Sequence, residues 1–117
     1  MPKVRSNVAR LKRKKKIMQA AKGARGGRSK LYKSAKETVE RGLRYAYRDR
    51  RVKKREFRRL WIVRINAAAR ECGVSYSRLV HWLGTAKVDV DRKILADLAA
   101  NDFPSFKRLV DSVRPSA

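Results

Sequence analysis

Apolar positions are sparse and scattered along the N-terminal half of the chain and periodic along the C-terminal half. Phe57, Trp61, Ile65, Ala68 and Cys72 recur every three to four residues, the spacing of one apolar helix face. Gly73 follows and suits a helix stop, because glycine accepts the left-handed conformation. Ser75 then reads as the N-cap of a second helix with Leu79, Val80 and Leu83 inside, ending at Gly84. Asp91 reads as the next N-cap, leading into Ile94, Leu95 and Leu98. Asn101 or Asp102 opens a last helix, with Pro104 tolerated in its first turn and Phe106, Leu109, Val110 and Val113 on its inner face. Val88-Asp89-Val90 alternates too briefly to require a strand. Four helices joined by short connections predict an all-α bundle.

Upstream the pattern changes. Val8, Leu11 and Met18 roughly share a face, so a helix is predicted from about Asn7 to Lys22, without a core to hold it. GARGGRS, residues 23–29, is a break where backbone can pass close to another molecule. From Lys30 to Glu71 there is no proline and one glycine, Gly42. A continuous helix of ~42 residues is ~63 Å long, more than a globule of this size is wide. Its N-terminal part is therefore expected to project beyond the core, or to bend, with Gly42 the weak point.

Charge sharpens this division. The chain of 117 residues carries 33 Lys/Arg and 10 Asp/Glu, a formal net charge of +23. Residues 1–59 hold 24 of those cations and 4 of the acids, a net of +20; residues 60–117 are left with +3. The expected organisation is a basic helical arm over 1–59 and a globular all-α domain over 60–117. Such an imbalance attracts polyanions. A basic amphipathic membrane helix needs a continuous apolar face, which residues 44–59 lack until Phe57, and no apolar run approaches the ~20 residues of a membrane span. No secretory signal pattern is visible, and the single cysteine, Cys72, allows no intrachain disulfide and fits a reducing cytosol.

The densest signal is YAYRDRRVKKREFRR, residues 45–59, with Arg41 and Arg44 just upstream. Placed on a helix, its cations cover most of the circumference, so it cannot be buried in protein but can be surrounded by phosphates. Arginine forks bond phosphate in pairs, and the interleaved tyrosines can stack on splayed bases. The expected RNA-binding residues are Arg5, Arg10, Lys12, Arg13, Lys14, Lys15 and Lys16 at the start of the arm. Lys22, Arg25, Arg28 and Lys30 surround the glycine break. Tyr32, Lys33, Arg41, Arg44, Tyr45, Tyr47, Arg48, Arg50, Arg51, Lys53, Lys54, Arg55, Arg58 and Arg59 follow on the long helix. Asp49 and Glu56 are expected to organise arginines through pairs about four residues apart.

Other features weigh less. His81 has no nucleophile or carboxylate pair in pattern and reads as a surface or partly packed residue. Cys72 and Trp61 read as core; Trp82 is left open, because Val80 and Leu83 already define the inner face. No metal-type Cys/His spacing, cofactor motif or catalytic constellation appears, so an enzyme is not expected. An alternative is a DNA-binding helix-turn-helix regulator. Residues 67–83 have the shape of the motif and put Tyr76, Ser77, Arg78 and His81 towards a major groove. Against it, the second helix carries one cation, Arg78, and the charge lies elsewhere.

The string Arg58-x-Leu60-Trp61-Ile62-x-Arg64-Ile65-Asn66, within residues 45–79, resembles the bacterial large-subunit ribosomal protein family L-twenty. The likeness extends upstream through KGARGGRSKLY, residues 22–32, and downstream through DRKILADLA, residues 91–99. It implies a helical arm threading into large-subunit ribosomal RNA, a surface α-domain, direct RNA binding, a role early in subunit assembly and neighbouring ribosomal proteins as partners. It implies no part in peptidyl transfer; some members also bind messenger RNA and repress their own synthesis. The sequence departs from the family pattern at Ala24, usually aromatic, at His81-Trp82, usually small and polar, and at Gly84-Thr85, often lysines. These departures imply less stacking at the turn and fewer RNA contacts from residues 81–85.

Overall fold

The computed structural model describes residues 7–116. Arg5, expected among the RNA-binding residues, lies outside them. Among the described residues the elements are six helices and no strand: α1 (Val8–Ala20), α2 (Gly27–Lys30), α3 (Tyr32–Glu71), α4 (Tyr76–Thr85), α5 (Arg92–Asn101) and α6 (Phe103–Val113). The fold is all-α, as the periodicity predicts. The chain divides into two compact units, residues 1–51 and 52–117, with α3 contributing to both.

In the first unit the GARGGRS break is more structured than expected. Gly23 and Gly26 take positive φ, 95° and 62°. Gly26 is the N-cap of the one-turn helix α2, at a φ/ψ of 62°/−139° that an L side chain rarely adopts. Leu31 is extended, so α3 begins at Tyr32 rather than Lys30. Ala21 and Ala35 are the buried residues of this unit. Val8 and Leu11 remain exposed, and Ile17 and Met18 are half-buried. α1 thus has the apolar face that was expected and little for it to pack on.

α3 runs 40 residues without interruption through Gly42. The expected weak point does not break the helix. Backbone i→i−4 bonds need no side chain, and strong helix formers flank the glycine. Its cost relative to alanine is about 0.8–1.0 kcal/mol, too little to stop a helix of this length.

The second unit is a bundle of the C-terminal part of α3 with α4, α5 and α6. Ile65, Ala68 and Ala69 from α3 meet Leu79 and Leu83 from α4, Leu95 and Ala96 from α5, and Phe106, Val110 and Val113 from α6 in one core. Phe106, Ile65, Leu79 and Val110 are the largest fully buried side chains, each stabilising by about 1.5–3 kcal/mol relative to exposure. Trp61, Cys72 and Trp82 pack against this core half-buried. Cys72 is therefore a margin residue rather than an interior one, with burial pushing its thiol pKa up. Phe57 and Ile94, expected inside, are exposed at 44% and 55%. Phe57 precedes the first core turn and meets the tilted ring of Trp61, at 6.2 Å, rather than the core. Leu95 and Ala96 take the inner positions of α5, which turns Ile94 outward. Val80, Leu98 and Leu109 are half-buried.

The helix ends explain the connections. Gly73 sits at φ 75°; its N–H donates to the Arg70 carbonyl at 2.9 Å and the Val74 N–H to the Ala69 carbonyl at 2.9 Å. This is a Schellman closure, with buried Val74 and Ala69 as its apolar contact. α4 ends the same way, but one turn later than predicted. Lys87 N–H bonds the Gly84 carbonyl at 3.2 Å and Val88 N–H the Leu83 carbonyl at 3.0 Å. The left-handed residue is thus Lys87, at φ 53°, and Gly84 stays inside the helix. Ser75 and Asp102 cap α4 and α6 through their side chains, accepting from Arg78 N–H and Ser105 N–H. Asp91 holds the N-cap position of α5 without a side-chain bond.

Candidate nucleic-acid interface

The site follows from what α3 fails to bury. From Glu40 to Arg64 no residue is buried. Ahead of Trp61, which packs on the bundle core, a helix in this state has little protein core to stabilise it, and its exposed side chains can meet a ligand. Arg41, Arg44, Arg48, Arg51, Arg55 and Arg58 recur at steps of three and four and share one face. Arg50, Lys53 and Lys54 occupy a second sector.

Aromatic rings and acids organise part of this charge. The Arg48 guanidinium lies 4.7 Å from the Tyr45 ring centroid and donates from Nε to Asp49 Oδ1 at 2.8 Å. That bond holds the Asp49 carboxyl below its usual range and raises the Arg48 pKa. Arg51 lies 4.9 Å over Tyr47 and donates from Nη2 to its hydroxyl at 2.7 Å. Lys53 sits 5.8 Å over Phe57. Arg59 donates to Glu56 at 2.8 Å. The acids do orient arginines, but across one and three residues rather than four. Tyr45 and Tyr47 each carry a cation over the ring and remain exposed.

In the first unit Lys14 Nζ sits 5.6 Å over Tyr32, and Arg10, Arg13, Lys14 and Tyr32 line one concavity. This joins the lysine run of α1 to the start of α3, two regions the sequence treats separately. Lys12, Arg13, Lys14, Lys15, Lys16, Lys22, Arg25, Arg28, Lys30 and Lys33 are all exposed. Arg28 and Arg41, 13 positions apart, line a second concavity with Glu37, Gly42 and Tyr45. Glu37 was not singled out from the sequence. The available signal was Gly42, a glycine interrupting strong helix formers.

The second unit offers a weaker surface. Trp61, Arg64, Asp91, Lys93, Ile94 and Asp97 line a concavity in which cations and acids balance. In the proposed recognition helix, Ser77, Arg78 and His81 are exposed, but Tyr76 is half-buried, packs on the core and accepts from Arg92 Nε at 3.1 Å. Trp82 packs on the core with Arg114 6.0 Å from its ring. Among the described residues there is no cluster of His, Cys, Asp and Glu fit to hold a metal, and no helix is long and apolar enough to cross a membrane.

The family model described as ribosomal protein L20 matches residues 3–109. The chain belongs to the ribosomal protein L20 family. Relatives named large ribosomal subunit protein bL20 agree along nearly the whole length. One from Geotalea daltonii is 55% identical over 117 residues, all of both chains. One from Pelotomaculum thermopropionicum is 57% identical over 111 residues, 95% of each chain. One from Geobacter sulfurreducens is 54% identical over 109 residues, 93% of each. The L20 family is one of ribosomal proteins and not of enzymes. The helix-turn-helix regulator finds no support among these L20 relatives.

Proposed function

We propose that the chain is a structural constituent of the large ribosomal subunit, in the cytoplasm, that binds large-subunit ribosomal RNA directly through residues 1–59 and supports early subunit assembly. The observation that carries this reading is the unburied stretch of α3 from Glu40 to Arg64, cationic over most of its circumference. The names of the relatives supply the ribosomal context. Lys and Arg neutralise phosphates and release counterions, which offsets the ordering of a segment with little core of its own. Arginines held over Tyr45 and Tyr47 present forks in set directions, so less side-chain freedom is lost on binding. RNA segments distant in sequence are thereby held together, while residues 60–117 fix orientation and abut neighbouring ribosomal proteins. Crosslinking in cells, followed by sequencing of the bound nucleic acid, tests this. Large-subunit ribosomal RNA is the expected catch, with crosslinks concentrated in residues 10–59. Recovery of chromosomal DNA in its place overturns the reading.

A further inference from the structure

Gly42 has no internal reason to be glycine. It lies mid-helix with a negative φ, and a Cβ built on it meets nothing within 4 Å. Neither a close packing partner nor a strained turn requires it, and helix propensity disfavours it. What remains is a close approach by something outside the chain. The notch at this position is lined by Arg28 from the α2 turn and by Arg41, Glu37 and Tyr45 from α3. Two arginines from separate elements line it, and guanidinium forks suit phosphate.

Glu37 is the informative neighbour. Residues 1–59 hold four acids. Glu40 pairs with Lys36, Asp49 with Arg48 and Glu56 with Arg59. Glu37 has no ion-pair partner among the described residues, and it lines the notch. A free carboxylate beside a phosphate seat weakens phosphate binding unless it takes a hydrogen-bond donor from the same ligand. The ribose 2′-hydroxyl of RNA is such a donor, one bond away from the sugar-phosphate backbone and absent from DNA.

We infer that the Gly42 notch seats one ribose-phosphate unit of an RNA strand crossing α3. The phosphate lies on Arg28 and Arg41, the sugar lies against the bare backbone at Gly42, and Glu37 accepts from the 2′-hydroxyl. This rests on the RNA-binding reading above and adds a place where RNA is distinguished from DNA.

The test measures binding of the full chain to in-vitro-transcribed bacterial large-subunit ribosomal RNA. Gly42→Gln fills the notch with a good helix former, and circular dichroism should show helix content unchanged or raised. Its affinity is expected to fall about tenfold or more, as for loss of a bidentate phosphate contact. Glu37→Ala gives the discriminating sign, because it removes the acceptor together with the charge. Removing a negative charge strengthens binding to a polyanion on electrostatics alone, whereas loss of the 2′-hydroxyl contact weakens it. Wild-type affinity in Gly42→Gln, or tighter binding in Glu37→Ala, overturns the notch. The salt dependence of the wild-type chain, measured alongside, separates the two readings. A steep dependence with an indifferent notch leaves the general phosphate mechanism standing, and a flat dependence removes both.

Discussion

The guanidinium of Arg51 sits 4.9 Å from the Tyr47 ring centroid while donating to the Tyr47 hydroxyl at 2.7 Å. One tyrosine thus holds one arginine at two points, one helical turn apart. A contact of each kind on an exposed surface contributes about 0.5–1 kcal/mol. Tyr47→Ala is therefore expected to weaken RNA binding by up to roughly five- to thirtyfold, and Tyr47→Phe, which keeps the ring, by less. In an Arg51→Ala background, Tyr47→Ala should add little. Equal losses in both backgrounds, measured by equilibrium titration at fixed salt, show that the tyrosine does not act through Arg51.

The charge division predicts two salt dependences. Each neutralised phosphate of single-stranded character contributes about −0.7 to the slope of log K against log salt, and each of duplex character about −0.9. The full chain is expected to show a slope of several units. A fragment of residues 60–117, which keeps the core but a net charge of only +3, should fold by circular dichroism and bind with a shallow slope. An unfolded fragment, or parallel slopes, contradicts the division.

Lys87 occupies the left-handed position that closes α4, at φ 53°. A side chain in that conformation costs about 1–2 kcal/mol relative to glycine. Lys87→Gly should stabilise the second unit by about 1 kcal/mol, a rise in melting temperature of roughly 4–8 °C. Lys87→Val should lower it, because branching at Cβ fits this region poorly. Calorimetry of the full chain reads both shifts, and a Gly variant that melts lower refutes the assignment of the cap.

Asp102 caps α6, and hydrogen bonding from Ser105 holds its carboxyl below the usual range in the folded chain. The sign follows from linkage. A carboxyl with a depressed folded pKa contributes stability in full above its unfolded value, about 3.9, and loses it as pH falls through the folded value. Asp102→Asn, which caps without ionising, should lose stability relative to the wild type near neutral pH and converge with it in acid. A stability difference independent of pH between neutrality and strong acid removes the charged cap from the account.

Phe106 is fully buried where α6 meets the core. Phe106→Ala is expected to cost about 3–5 kcal/mol, enough to unfold much of the second unit. Helicity of α3 within residues 32–51, which buries only Ala35, should be affected far less. Hydrogen exchange resolved by segment distinguishes this from collapse of the whole chain.

Periodicity and charge alone determined the class of fold, the presence and order of the bundle helices and the basic character of the N-terminal half. They could do so because amphipathic spacing and net charge are local properties, read without knowing what packs on what. The sequence also placed Gly73 and Ser75 correctly and narrowed the cap of α6 to Asn101 or Asp102, since caps depend on a few neighbouring residues. Tertiary structure decided what depends on partners distant along the chain. It turned Phe57 and Ile94 outward, moved the left-handed closure of α4 from Gly84 to Lys87, and carried α3 through Gly42. It brought Lys14 over Tyr32 and placed Arg28 beside Arg41 and Glu37. In the first unit these residues meet through the turn geometry at Gly23, Gly26 and Leu31, and no pattern of hydrophobic and polar positions encodes that meeting.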